Sequence, residues 1–265
     1  MISPYAHIHP KAQIGKDVII DPFAVIEDDV IIGDGTHIMS HAVIMQKVVI
    51  GNVCKIFPGA VIGAIPQDLK FDGEDTVVHI GNNTTVRECV TINRGTKDKW
   101  KTVIGSDCLL MAYCHIAHDC LIGDHVIIAN SVQLAGHVEI GDHAIIGGMA
   151  AAIQFSKIGP HTYIAGGTEI IKDVPPYIKA GRSPLSYVGV NSIGLQRRGF
   201  TSEKINNISE IYRNIYLRGL NISQATEHIE KEFPESAEKK EILKFIKESS
   251  RGILKVSSKE IKDEN

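Results

Sequence analysis

The sequence predicts a mainly β fold: a three-sided parallel helix of very short strands, followed by a small α-helical domain. Three observations carry this. Every sixth residue from Ile2 to Ile62 is Ile, and the same phase returns at Ile80, Val86 and Ile92 and again from Ile104 to Ile170. Four residues after each aliphatic stands a small or β-branched residue, such as Ala6, Ala24, Thr36, Ala42 and Cys54. Beyond residue 190 the period changes to a helical one.

A period of six is not helical. It suits a strand period of two, but a flat strand does not run for 170 residues. The chain must turn a corner every six residues. The aliphatic then points inward, the small residue fits the corner, and the frequent following Gly (Gly15, Gly33, Gly105, Gly123) relaxes the backbone there. Three hexapeptides make one coil of 18, and coils stack at about 4.8 Å. Residues 2–175 give roughly ten coils on this spacing. Residues 65–79, with Asp68 and Glu74 at inward positions, and residues 95–103, with Asp98 at another, read as loops leaving the prism. The repeat ends at Asp173–Tyr177 (DVPPY), where two prolines remove strand donors. The expected domains are 1–190, the prism, and 191–265, the helices. Thr201-Ser202-Glu203 reads as a helix start, with Ile205, Ile208, Ile211, Tyr212 and Ile215 as its apolar stripe. A second helix is expected near Ser223–Phe233 and a third after Pro234, with a frayed polar tail after Arg251.

Composition sets the function classes. With 43% hydrophobic and 22% charged residues the chain is not disordered. A formal net charge of -3 and 6% aromatics give no basis for nucleic-acid binding. No run of 18 apolar residues predicts a transmembrane helix, and the first residues carry no basic-then-apolar leader, so a soluble cytoplasmic protein is expected. Four of the five cysteines (Cys54, Cys108, Cys114, Cys120) fall in the small-corner phase, which favours packing over metal or disulfide chemistry.

Of the twelve histidines many read as solvated, such as His125 and His143, which follow Gly-Asp in turns. His115, His118 and His137 differ by their place in the coil. Steps of 18 from His118 reach Gly136 and then Gln154, so these three stack on successive coils. His137 adjoins that column, and His115 ends the preceding hexapeptide. An imidazole, a backbone N–H and an amide so gathered are the parts of an acyl-transfer site: a base and an oxyanion donor. Two other readings use the same residues. A trimeric zinc hydratase on the same prism would use His115, His118 and His137 as ligands. A non-catalytic binding prism needs no polar column at all.

The segment His115–His137 (HIAHDCLIGDHVIIANSVQLAGH) resembles the signature region of bacterial UDP-N-acetylglucosamine acyltransferases. PQDLK (66–70), RECVTINRGT (87–96), DVPPY (173–177) and GVNSIGLQRRGF (189–200) extend the resemblance over nearly the whole chain. The resemblance implies a left-handed parallel β-helix of hexapeptide repeats and a homotrimer with sites in the clefts between prisms. It implies transfer of a 3-hydroxyacyl chain from the phosphopantetheine of acyl carrier protein to the 3-hydroxyl of a UDP-sugar, the first step of lipid A biosynthesis, with no metal or other cofactor. His118 would be the base, Gly136 the oxyanion donor, and Asp119 the holder of the imidazole tautomer. That last role conflicts with strand geometry, in which neighbours point to opposite faces. Asp68, Lys70, His115, His137, Gln154, Asn191, Arg197 and Arg198 match substrate-binding positions, and Gly166 the position that limits acyl length. Asn93 and Ile153 depart from the family, which commonly has His at both. The departures leave a 3-amino UDP-sugar open as acceptor.

Overall fold

The computed structural model describes residues 1–256. Among the described residues the strands form three sheets of nine, eight and ten, parallel except for one terminal strand of the third, and these are the three faces of a left-handed parallel β-helix. Most strands are two residues long, as a chain that bends every six residues requires. Partners on successive coils lie 18 residues apart, as in His115↔Gln133 and Gln133↔Ala151. The inward aliphatics make a continuous core, with Ile26, Ile62, Ile92, Ile116, Ile128 and Ile164 fully buried. Cys54, Cys108, Cys114 and Cys120 are buried in the corner slots. Burial pushes the thiols of Cys108 and Cys114 up to about 11 and that of Cys120 to about 12, so none is available as a thiolate.

The corners work differently from the expectation. The glycine after each aliphatic is seldom in the left-handed region. The residue two positions on takes that conformation instead: Asp107 (φ 57°), His125 (57°), His143 (60°) and His161 (58°). Glycine is needed for close stacking. A Cβ on Gly105 would lie 2.4 Å from the carbonyl oxygen of Gly123, and one on Gly123 would lie 2.9 Å from the backbone nitrogen of Asp142. The polar residue after that glycine ties coil to coil: the Ser106 N–H donates to Asp124 Oδ1 (2.7 Å) and the Asp124 N–H to Asp142 Oδ1 (2.8 Å). The same ladder continues through Asn82, Asn52 and Asp34.

Two excursions interrupt the coil, both shorter than expected. Across the first, partners lie 30 residues apart (Ile50↔Ile80), and across the second 24 (Ile80↔Ile104). Val77–Ile80 and Lys101–Ile104 are strands and pair with each other along their whole length, so the sheet captures the ends of both loops. The first loop therefore spans 65–76 and the second 94–100.

The prolines at 175 and 176 do not end the sheet. Ile178–Gly181 pairs with Tyr163–Ile164, and Ser186–Val190 adds an antiparallel strand to it. Among the described residues four helices follow: α1 (Ser192–Arg197), α2 (Ser202–Tyr216), α3 (Ile222–Glu232) and α4 (Ala237–Glu248). Thr201, Asn221 and Ser236 cap the last three through their side chains. α2 buries Ile205, Ile208, Ile211, Tyr212 and Ile215, and the Tyr212 hydroxyl donates to the Pro176 carbonyl at 2.6 Å. Lys239 is 2% exposed, and its ammonium donates to the carbonyls of Glu230 (2.9 Å) and Phe233 (2.8 Å), fastening α4 to the end of α3. The chain past Arg251 is not frayed as far as Val256. Ile253 and Leu254 are buried, and Asp173 and Tyr187 bridge to Ile253 and Val256. The remainder of the expected tail lies outside the described residues.

Candidate active site

The site grows from one corner. The strands His115–Ile116, Gln133–Leu134 and Ala151–Ala152 stack in one face, and the turn after each begins a new face. His118, Gly136 and Gln154 occupy equivalent places in those turns. The stacking is direct: the His137 N–H donates to the His118 carbonyl (3.0 Å), and the Phe155 N–H to the Gly136 carbonyl (3.1 Å). A Cβ on Gly136 would lie 2.5 Å from Cε1 and 2.6 Å from Nε2 of His118. Gly136 therefore sets its backbone against the edge of the ring. Gln154 is exposed one coil further.

The objection to Asp119 fails on the local backbone. His118 and Asp119 lie in a turn, and Asp119 has φ 60°, so the two side chains meet on one side of the chain. Asp119 Oδ2 lies 2.9 Å from His118 Nδ1. The carboxylate is fully buried, and burial alone would push its pKa up. Hydrogen bonds from His118, from the Thr96 hydroxyl and N–H, and from the Lys99 N–H outweigh burial and hold it below the ordinary value. An ionised Asp119 only accepts, so Nδ1 carries the ring proton and Nε2 has its lone pair free.

Nε2 faces the first loop, and Asp68 Oδ2 stands 4.0 Å from it. The other oxygen, Oδ1, accepts the Lys70 N–H at 2.9 Å, which fixes the carboxylate. Lys70 itself is exposed. Asn93 roots this loop: its amide donates to the carbonyls of Ala64 (3.3 Å) and Ile65 (3.1 Å). His118 is 4% exposed, so the imidazole works almost enclosed. His115 lies on the adjoining face, its Nδ1 2.7 Å from the Thr91 hydroxyl. Burial, then the nearby His118, lowers its pKa and keeps it neutral. His137 is packed behind His118, edge-on to it (5.0 Å between centroids) and stacked on Phe155 (4.3 Å). Asp98 stands 3.1 Å from its Nδ1, at an angle that makes no hydrogen bond. Burial outweighs the two nearby carboxylates, Asp119 and Asp98, and lowers the His137 pKa.

Among the described residues, His118, Asp119 and His137 form the one group whose ligand atoms, within 4.8 Å of one another, could surround a cation. Both Asp119 oxygens already accept hydrogen bonds, and His118 Nδ1 is spent on one of them. The donor set is thus engaged internally and fits a metal poorly. His115 is not part of that group.

The remaining expected residues lie at other corners. The Asn191 amide donates to the His161 carbonyl (2.9 Å), and Arg198 Nη2 to the His143 carbonyl (2.8 Å). His125, His143, His161 and Tyr177 stack there as a ring ladder, with centroids 4.5, 4.8 and 5.6 Å apart. Arg197, beside Arg198, is exposed. One prism face of six residues, about 20 Å, separates this corner from His118. Gly166 sits at the third corner, where a Cβ would come within 2.8 Å of the Gly148 carbonyl oxygen. A single chain brings together Asp68, His115, His118, Asp119, Gly136 and His137, but not Asn191, Arg197, Arg198 or Gly166. Thr96 and Asn93 hold the site from behind. Thr96 falls in the second break of the repeat and Asn93 just before it, and only the folded loops reveal what they touch.

Fold and corner together define a transferase of the hexapeptide-repeat class. The family described as "Bacterial transferase hexapeptide (six repeats)" matches residues 11–46 and 101–136, and "Udp N-acetylglucosamine O-acyltransferase; Domain 2" matches 173–254. The acyl-[acyl-carrier-protein]–UDP-N-acetylglucosamine O-acyltransferase of Halorhodospira halophila is 47% identical over 96% of this chain and 99% of its own. The crystal structure of the UDP-N-acetylglucosamine acyltransferase of Bacteroides fragilis is 51% identical over 96% of this chain and all of its own, with a TM-score of 0.95. That of the Acinetobacter baumannii protein is 42% identical over 96% of this chain and 99% of its own, with a TM-score of 0.93. This chain belongs to the acyl-[acyl-carrier-protein]–UDP-N-acetylglucosamine O-acyltransferase family, and is an O-acyltransferase.

Proposed function

We propose that this enzyme moves a 3-hydroxyacyl chain from acyl carrier protein to the 3-hydroxyl of UDP-N-acetylglucosamine, opening lipid A biosynthesis in the cytoplasm. The observation that carries the mechanism is the His118 ring. Its Nδ1 is committed to an ionised Asp119, its Nε2 is free, and Gly136 lies against its edge. Nε2 takes the proton of the sugar hydroxyl. Asp68 Oδ2, 4.0 Å from Nε2, is a carboxylate oxygen and only accepts, so it orients the acceptor through a second donor group of the sugar, leaving the reacting hydroxyl's proton to Nε2. The sugar oxygen attacks the thioester carbonyl, and the Gly136 N–H donates to the resulting oxyanion. One such donor is worth about 3–4 kcal/mol, and the base roughly 10²–10⁴-fold. The tetrahedral intermediate collapses to the ester, and the imidazolium returns its proton to the departing phosphopantetheine thiolate. No acyl-enzyme forms, in keeping with the protonated buried thiols.

His115 and His137 position the substrate in this reading, and Gln154 contacts its nucleotide portion. Lys70, Asn191, Arg197 and Arg198 meet the nucleotide diphosphate, and Gly166 meets the acyl chain. Since the last four lie on other corners, the complete cleft is built by two copies of the chain, and the working unit is a homotrimer. Outward-facing apolar residues suit that packing: Ile31, Met149, Ile153 and Tyr163 are exposed in the single chain. Among the described residues no helix is long and apolar enough to cross a membrane. The test is an acyl-transfer assay crossing UDP-N-acetylglucosamine and its 3-amino analogue with carrier proteins bearing hydroxyacyl chains of several lengths. The expected product is the 3-O-ester with release of free carrier thiol. Amide formed from the amino analogue alone would replace O-acylation with N-acylation, and no transfer with any pair would end this reading.

A further inference from the structure

We propose that Thr96 is a positioning residue for acyl transfer, acting on His118 through the Asp119 carboxylate. This rests on the role of His118 as base. The second loop leaves the prism after Asn93 and rejoins it at Lys101, and on the way it closes over Asp119. The Thr96 N–H donates to Oδ1 at 2.9 Å and the Lys99 N–H to the same oxygen at 3.2 Å. The Thr96 hydroxyl lies 2.6 Å from Oδ2, the oxygen that His118 Nδ1 also uses. The direction of that bond is fixed. The hydroxyl oxygen accepts the Asp98 N–H at 3.3 Å, and a carboxylate cannot donate, so the hydroxyl proton goes to Asp119. From the opposite side the Asp119 N–H donates to Thr102 Oγ1 at 2.9 Å. Thr96 is 7% exposed and Thr102 fully buried, so solvent does not replace these bonds. Lys99 then pins the loop to the prism face through Glu139, at 2.7 Å.

The shared oxygen is the point. A hydroxyl proton on Oδ2 takes up part of the negative charge that the imidazole ring sees, and it fixes the angle at which Nδ1 is met. A loop held only for folding would place Thr96 anywhere along the Asp119 backbone. Here it meets the one atom that sets the base.

The test compares Thr96→Val, Thr96→Cys and Thr96→Ser in the full-length enzyme, reading kcat, KM and the pH–rate profile. Thr96→Val is expected to lower kcat at least about tenfold with KM within about twofold, as loss of an outer partner of a reactive group does. The acid limb of kcat/KM moves to higher pH, because Oδ2 then presents more charge to the imidazolium. Thr96→Ser restores both, and Thr96→Cys, a weaker donor, falls between and carries the comparison should the Val variant not fold. In an Asp119→Asn background the Val substitution changes kcat by less than about twofold. Wild-type kcat and pH profile in the Val and Cys variants would overturn the proposal, as would an undiminished loss in the Asn background. Failure of the underlying reading looks different: the unsubstituted enzyme itself would transfer no acyl chain.

Discussion

His118 and Asp119 are sequence neighbours that meet because the corner bends between them. Six-residue phasing placed His118, Gly136 and Gln154 in one column, and that much was legible. The contact with Asp119 was not, since alternation along a strand argues against it. Only the positive φ at Asp119 reverses the side chain. Three predictions belong at this scale. Gly136→Ala puts a methyl 2.5 Å from His118 Cε1, so the ring must shift and kcat should fall at least about tenfold, measured beside thermal unfolding to show that the fold survives. The Asp119 pKa lies below its ordinary value, so the carboxylate's stabilising bonds are fully present above about pH 4 and are lost only as pH falls through the lowered value. Unfolding followed by denaturant at pH 7 and at pH 3 should therefore show Asp119→Asn costing more stability at the higher pH. Chelation is a third check: exhaustive treatment with a strong chelator should leave the rate unchanged, and loss restored by zinc would favour the hydratase-like ligand set.

At the scale of elements, the breaks in the repeat marked both loops but misjudged their ends. Phase counts inward aliphatics only, while Val77–Ile80 and Lys101–Ile104 gain ladder partners on each other. What the loops do was also hidden, because Asp68 and Thr96 each act on a residue dozens of positions away. Asn93 has a structural use here: it ties down the start of the loop that carries Asp68. Asn93→Leu leaves the carbonyls of Ala64 and Ile65 without that donor. A stability cost of about 1–3 kcal/mol is expected by chemical denaturation, with a several-fold rise in the KM for the UDP-sugar as Asp68 loses its anchor. α2, α3 and α4 were readable from caps and stripes; α1, which has no side-chain cap, was not, nor was the strand pair after the prolines, because the sheet edge supplies partners that proline bars only at its own position.

For the whole molecule, one fact dominates: the corner holding Asn191 and Arg198 is a full prism face away from His118 in the same chain. If neighbouring copies complete the cleft, inactive variants lesioned at different corners should complement. Mixing His118→Ala with Arg197→Ala/Arg198→Ala protein, unfolding and refolding them together, should return a clear fraction of wild-type activity, and sedimentation should give a trimer. Two variants that stay inactive when mixed would place all contacts within one chain. The proposed direct transfer turns on the His118 imidazole as its base. Its most direct measurement is kcat/KM of purified His118→Ala with the acyl donor and UDP-N-acetylglucosamine, alongside a circular dichroism spectrum. A native spectrum with a loss of at least about a hundredfold is predicted; a native spectrum with undiminished turnover would contradict it.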